Sequence, residues 1–274
     1  MVKSLAEYVS EVLKVAKLWS PSRTAQLWFR GQRLAGWHLT PSYYREFEAY
    51  IPDVENTFMT QYMLRGGRLV TVTPTRRWEW LYLMQHYGFP TRLLDWSDSA
   101  LVALYFAVRD HRGPDDDDNA AVWMLDPVWL NSMSLGLATI ALPDWDEVLP
   151  YFPFWKTTGA LPSLPVAVEP SHVTERLTAQ RGHFTIHGSE AGALNQLAPL
   201  SGRTSRCHEI VIRKGAVPRI EQELATFGVQ ETTIYPDLEG LSRELRRHIP
   251  RSKQVVPAVQ SAQAKPRGKN RGQK

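Results

Sequence analysis

The sequence has little cysteine and no long apolar run, and each of these absences excludes a class of protein. Cys207 is the sole cysteine, so the chain forms no internal disulfide and no cluster of thiolate metal ligands. No stretch approaches the roughly 18 consecutive apolar residues of a membrane-spanning helix, and the N-terminus lacks a basic segment followed by an apolar signal core. We therefore expect a soluble, cytoplasmic protein with no membrane partner.

Several familiar catalytic motifs are absent as well. The chain has no Gly-rich phosphate loop ending in Lys-Ser or Lys-Thr, no G-x-S-x-G and no H-E-x-x-H, so kinase, serine-hydrolase and zinc-protease interpretations lose their usual support. Among the eight histidines, His183 and His187 are the pair spaced four apart. They have no cysteine or third ligand nearby in the sequence, so we predict no metal site.

Enough apolar sequence is present for a large core. The chain has 274 residues, 43% of them hydrophobic, which suits one large domain or two small ones. Predicted strands and helices alternate with no linker before residue 250. This pattern favours one domain of class α+β (mixed α/β) over residues 22–250, with a helix in residues 1–21 packed on it.

Positive charge is concentrated at the end of the chain. Seven of the 32 Lys and Arg residues, and none of the 28 Asp and Glu residues, lie in residues 251–274. This segment has too few branched apolar residues to offset the entropy of ordering it, so we predict a disordered basic tail. Its spaced cations suit the phosphates of DNA or RNA, and a solubilising tail with no fixed partner is the alternative.

Apolar periodicity predicts the elements. The run Gln26 to Phe29 predicts a buried strand that stops at Arg30 and Gly31, and a continuous helical pattern extends from Tyr43 to Arg65. The acidic run Asp115 to Asp118 predicts an exposed turn. Other helices are predicted at about 5–19, 75–87, 98–108, 218–227 and 238–249, and other strands at about 120–125, 166–168, 183–187 and 209–212.

Polar residues interrupt the apolar segments at three places. Arg30, at the end of a predicted buried strand, needs an anionic partner, either a carboxylate or a bound phosphate, and Gly31 would let that partner approach the backbone closely. The second place is residues 85–97, where Arg92 and Asp95 pair with each other or with a ligand. The third is residues 176–184, which include Gln180.

Two of these places, together with residues 103–107, resemble a known family. Phe29-Arg30-Gly31, residues 85–96 (QHYGFPTRLLDW) and residues 103–107 (ALYFA) closely resemble the FRG domain family, which is named for its first motif. Residues 180–184 and 235–241 look like later blocks of that family, so the resemblance extends over most of residues 22–248.

A weaker resemblance links this layout to arginine-type ADP-ribosyltransferases. Arg30 matches the arginine that those enzymes place on their first core strand, and residues 95–97 leading into 103–107 look like their second block. Residues 230–236 are similar to their late glutamate block. The resemblance implies a small strand core surrounded by helices, NAD as the substrate, and a bacterial toxin or phage-defence effector that modifies nucleic acid or protein. The first alternative is a non-catalytic module that binds a nucleotide or nucleic acid, and the second is a scaffold that binds protein partners through the aromatic region 145–155.

The same resemblance assigns roles to individual side chains. Arg30 and Arg92 would hold the pyrophosphate of NAD, as guanidinium groups do bidentately. His86 and Ser97 would bind ribose hydroxyls, and Tyr105 or Trp96 would stack on the nicotinamide. The complete set of residues assigned to NAD binding is Arg30, Gly31, His86, Thr91, Arg92, Asp95, Trp96, Ser97 and Tyr105.

The resemblance assigns catalysis to three residues. Arg30 anchors the substrate, Glu231 stabilises the cationic transition state, and Gln180 positions the acceptor or the ribose. Glu169 and Glu190 are the fallback carboxylates. The alternatives to these roles are that His86, Trp96 and Tyr105 are packed core residues and that Gln180 bridges strands.

Overall fold

Six strands form one antiparallel sheet in this computed structural model, which describes residues 1–19, 26–70, 72–109, 118–152, 160–170, 179–197 and 204–249. The order is β4-β5-β2-β1-β3-β6. The strands are β1 (Trp28–Gln32), β2 (Leu93–Ser97), β3 (Ala120–Leu125), β4 (Val166–Val168), β5 (Gly182–Ile186) and β6 (Cys207–Ile212). With helices packed on the sheet, the predicted α+β class is confirmed. The predicted tail at 251–274 and the turn at 115–117 lie outside the described residues.

Ten α-helices lie in the described part of the chain. They are α1 (Leu5–Trp19), α2 (Ser42–Phe47), α3 (Pro52–Gly66), α4 (Arg77–His86), α5 (Ala100–Val108), α6 (Pro127–Ser134), α7 (Leu194–Leu197), α8 (Val217–Thr226), α9 (Glu231–Ile234) and α10 (Leu238–His248). None of the helices in these described ranges has the length and apolar character needed to cross a membrane.

Two groups of helices share one face of the sheet. Helices α1, α5 and α8 pack over β1, β3 and β6 in a core that includes Tyr8, Leu104 and Ile212. Helices α3 and α4 pack over the β2, β4 and β5 end in a second core that includes Leu93 and Phe184. The boundary between these two groups falls over β1 and β2, at the place where the candidate site lies.

The opposite face of the sheet has its own aromatic core. Trp28, Trp96 and Trp123 project there and pack against α6 and α7. This alternation follows from strand geometry, because successive side chains of a strand point to opposite faces. Residues of β1 and β2 therefore contribute alternately to the helical side and to this aromatic side.

The single helix predicted from Tyr43 to Arg65 is wrong, because the structure divides it into α2 and α3. Helix α2 ends at Phe47, and the next residue, Glu48, has a left-handed φ of 58°. Pro52 starts α3, a position where a missing N–H leaves no helical bond unmade. The Tyr43 hydroxyl donates to the Ile51 carbonyl at 3.0 Å and accepts from the Ile51 N–H at 3.1 Å, which fixes the break.

Two further predictions are corrected by the strand and helix bounds. Strand β1 continues to Gln32, so Arg30 lies in the middle of the strand and not at its end. The block at 230–236, which resembles a strand-borne glutamate, forms the short helix α9 instead. Gln230 caps that helix, because its side chain and that of Thr233 complete a capping box.

Candidate functional site

A cavity of about 980 Å³ opens where β1 and β2 separate. These strands pair at a single position, Phe29 opposite Ser97, so they share one residue pair and separate beyond it. The lining residues come from β1, the loop after it, α2, β2, α5, the segment before β5 and the start of β5. They are Phe29, Arg30, Gly31, Gln32, Arg33, Trp37, His38, Thr40, Arg45, Asp95, Trp96, Ser97, Ala103, Phe106, Gln180, Gly182, His183 and Phe184.

Arg30 bridges the gap between the two strands. Its Nη1 donates to the Asp95 carbonyl oxygen at 2.7 Å and lies 3.5 Å from the Asp95 carboxylate. Burial lowers the pKa of the Arg30 guanidinium below its usual value, and the nearby Asp95 acts in the opposite direction. A guanidinium is not deprotonated in proteins, so Arg30 lines the cavity as a cation.

Gly31 is required by the packing of α5. A Cβ at this position would lie 1.9 Å from the Ala103 carbonyl oxygen and 2.6 Å from the Ala107 nitrogen. The glycine lets the helix approach β1 closely, which places Ala103 and Phe106 in the cavity wall. The predicted role of Gly31, close approach by an anionic partner, is thus taken by the backbone of α5.

Positive charge dominates the lining. Arg33 and Arg45 join Arg30, whereas Asp95 is the single carboxylate among the described lining residues. Arg45 is close enough to Arg30 to oppose its charge, and it is held by a 2.8 Å bond from its Nη1 to the Thr40 carbonyl. Like charges facing one cavity are stabilised by an anion between them.

A hydrogen-bond chain orients the Asp95 carboxylate. Gln85 Nε2 donates to Asp95 Oδ2 at 2.7 Å, and the buried Thr91 hydroxyl donates to Gln85 Oε1. Thr91 therefore contributes through Gln85 and Asp95, and not by contact with a ligand. Thr91, Gln85 and Asp95 thus form one connected chain of hydrogen bonds that ends at Arg30.

The inner part of the cavity is well buried. Ser97 donates to the Gln180 carbonyl at 2.7 Å, which fastens the segment before β5 to β2. His183 stacks on Trp28 with ring centroids 4.8 Å apart, between the carboxylates of Glu169 at 3.4 Å and Asp98 at 3.7 Å. Trp96 is also here, but its indole N–H donates to Thr185 at 3.0 Å and the ring belongs to the core.

Arg92 does not reach the cavity, and it does not pair with Asp95. Its guanidinium is fully buried: Nε donates to Glu55 at 2.8 Å, Nη2 donates to the Tyr151 carbonyl at 2.6 Å, and Nη1 donates to the His187 carbonyl. All of its groups have partners within the protein, so Arg92 holds α3 against β2 and β5 and is not available to a pyrophosphate.

Tyr105 and Glu231 meet each other away from the cavity. The Tyr105 hydroxyl donates to Glu231, Arg243 Nε donates to it at 2.6 Å, and Arg109 lies 3.8 Å away. Glu231 is 1% exposed. Tyr105 is one position from Phe106, which turns its side chain by about 100° around α5, and neither Tyr105 nor Glu231 is among the described residues that line the cavity.

Two other predicted residues lie outside the lining. His86 is exposed at the end of α4 and makes an edge contact with Tyr87. The fallback carboxylate Glu190 is exposed near Ser163, while Glu169 reaches the site only through His183. The structure thus brings together Arg30, Gly31, Asp95, Trp96, Ser97 and Gln180, and it separates them from His86, Thr91, Arg92, Tyr105 and Glu231.

Sequence reasoning missed four contributors to this site. Gln85 stands in the same sequence block as Asp95 and was overlooked because its role is visible only through hydrogen bonding. Arg33 and Trp37 lie in the irregular loop after β1, where periodicity carries no signal, and Arg45 lies in the short helix α2, where the helical pattern does not show which side chain faces a cavity. Their one sequence clue was the recurrence of cations and an aromatic just after the Phe-Arg-Gly motif.

The comparison with protein families agrees with the first two sequence blocks. The FRG domain profile matches residues 25–116, about a third of the chain, and this segment supplies Arg30, Gln85 and Asp95. The chain therefore contains an FRG domain. The resembling blocks at 180–184 and 235–241 lie beyond that match. No curated protein and no solved structure matches the chain, so the resemblance to ADP-ribosyltransferases stays a prediction.

Proposed function

We propose that the cavity between β1 and β2 binds NAD through its pyrophosphate. The observation that carries this proposal is the lining: three arginines and one carboxylate around about 980 Å³. That volume is at the upper end of the roughly 300–1,000 Å³ common for ligand pockets, which suits a dinucleotide better than a single phosphate.

Guanidinium groups match the chemistry of a pyrophosphate. Each can donate two parallel hydrogen bonds to phosphate oxygens, and a partly buried guanidinium does so with little competition from water. Arg30 has 22% of its side chain exposed and is held by the Asp95 carbonyl, so it is already oriented before a ligand arrives. Preorganisation of this kind lowers the entropic cost of binding.

Binding is tested by titrating NAD into the purified protein and into Arg30→Ala. We expect NAD to raise the melting temperature of the wild type, since a ligand that binds only the folded state stabilises it. Removal of one charged hydrogen-bonding group should weaken binding about 10- to 100-fold. Arg219→Ala, which removes an exposed arginine on α8, is the matched control and should bind as the wild type does. No thermal shift and no binding by the wild type would contradict the proposal.

Transfer of ADP-ribose from bound NAD is a second candidate function, favoured by the position of Asp95. In this reaction the bond between C1′ of the ribose and the nicotinamide nitrogen breaks, and neutral nicotinamide leaves with the electron pair. The acceptor nucleophile then bonds to C1′ and loses a proton. Asp95 lines the cavity beside Arg30, where a carboxylate can accept a hydrogen bond from a ribose hydroxyl and stabilise the oxocarbenium-like cation.

Nicotinamide release by Asp95→Asn tests this second function. We expect release to fall about 100-fold or more, the usual range for removing one preorganised electrostatic group, while NAD binding stays equal or becomes tighter because a negative charge beside Arg30 is gone. Glu190→Gln removes an exposed carboxylate outside the cavity and should release nicotinamide at the wild-type rate. Absence of release by wild-type protein that binds NAD, with DNA, RNA and cell extract supplied as acceptors, would leave the binding module as the function.

A further inference from the structure

Trp37 differs from the other tryptophans of the described residues because it is exposed. Its side chain is 46% exposed, while Trp28, Trp78, Trp80, Trp96, Trp123 and Trp129 are buried and Trp19 and Trp145 are half-buried. Trp37 also lines the cavity. A large aromatic ring that stays in contact with water at the opening of a pocket is a common position for a ligand-stacking surface.

Arg33 holds the ring of Trp37. The Arg33 guanidinium carbon lies over the indole, 5.6 Å from its centroid, a cation–π distance. This contact covers one side of the indole and restricts its rotation. A planar ligand group can then stack on the ring without first ordering the side chain, and base–aromatic stacking needs only a free π-face.

The cavity has an exposed and a buried end. Trp37, His38 and Arg45 are exposed and define the mouth, whereas Ser97, His183 and Phe184 are each about 5% exposed or less and define the floor. Asp95 lies directly opposite Phe184 in the β2–β5 ladder. The backbone of Asp95 is therefore next to the floor, while its side chain is 55% exposed and that of Arg30 is 22% exposed.

We infer that the adenine base of NAD stacks on Trp37 at the mouth, which directs the nicotinamide riboside to the buried floor beside Ser97 and Phe184. This inference rests on the proposed binding of NAD and adds the direction in which NAD lies. The adenosine takes no part in the reaction, so it tolerates water at the mouth. The reacting end benefits from a site that excludes water.

The inference is tested with two half-ligands of NAD. ADP carries the adenine and a pyrophosphate, and nicotinamide mononucleotide carries the nicotinamide riboside and one phosphate. NAD, ADP and nicotinamide mononucleotide are each titrated calorimetrically into Trp37→Ala. ADP and NAD should bind about 10-fold more weakly than they bind the wild type, a typical effect of removing one stacked base. Nicotinamide mononucleotide, which lacks adenine, should bind unchanged, and Trp37→Phe should recover most of the ADP affinity.

Two further variants, and the outcomes that would overturn the inference, make the result decisive. Arg30→Ala should weaken all three ligands, because each carries a phosphate, and Phe227→Ala, which removes a 72% exposed aromatic outside the cavity, should weaken none. An unchanged affinity of Trp37→Ala for ADP, or an equal reduction for ADP and nicotinamide mononucleotide, overturns the inference while NAD binding stands. A wild-type protein that binds none of the three ligands overturns the proposed function itself, and the inference with it.

Discussion

Single residues in this fold are held by ion pairs whose partners are distant in the sequence, and Glu231 is the most informative example. Its carboxylate is bound by Tyr105 and by Arg243, and these contacts tie α5, α9 and α10 together. We predict that Glu231→Gln lowers the free energy of unfolding by about 2 kcal/mol, because a buried hydrogen bond to a charged group is replaced by a weaker neutral one.

NAD binding separates this structural role from a catalytic one. Glu231 lies outside the cavity lining, so at a temperature where the variant is folded we expect its NAD affinity and its nicotinamide release to equal those of the wild type. Urea denaturation checks the stability, and calorimetry with a release assay checks the function. Full stability combined with an absence of release would instead restore Glu231 as the catalytic carboxylate predicted from the sequence resemblance.

At the same scale, the sequence identified important side chains better than it identified their partners. Arg30 and Asp95 were singled out separately, and the structure brings them within 3.5 Å of each other. A pair between Arg92 and Asp95 is one of the two alternatives that the sequence leaves open, although residues three apart on an extended chain point to opposite faces. Its real partner, Glu55, comes from α3, a distance in sequence that no local pattern reveals.

At the scale of elements, apolar periodicity predicted most helices and strands, because burial of one face leaves a regular trace in the sequence. Helices α1 and α8 and strand β3 begin and end within about one residue of their predicted bounds. The break at Pro52 was overlooked although proline commonly marks a first helical turn. Apolar periodicity does not specify which strands pair. It therefore gives no sign of the early separation of β1 from β2 that creates the cavity.

At the scale of the whole molecule, the charge of residues 251–274 contrasts with the rest of the chain. Without that segment, acidic residues outnumber Lys and Arg, so attraction to a polyanion depends mainly on it.

We predict that deleting 251–274 weakens binding to DNA or RNA at low salt. The deletion should also make log K less dependent on log salt, by about 0.9 for each phosphate of duplex DNA that the segment neutralises. NAD affinity should stay unchanged, because the described cavity is built from residues 29–184. Fluorescence anisotropy of a labelled oligonucleotide across a salt series measures the affinity and its salt dependence, and an identical salt dependence for the two chains would mean that the basic segment does not bind the nucleic acid.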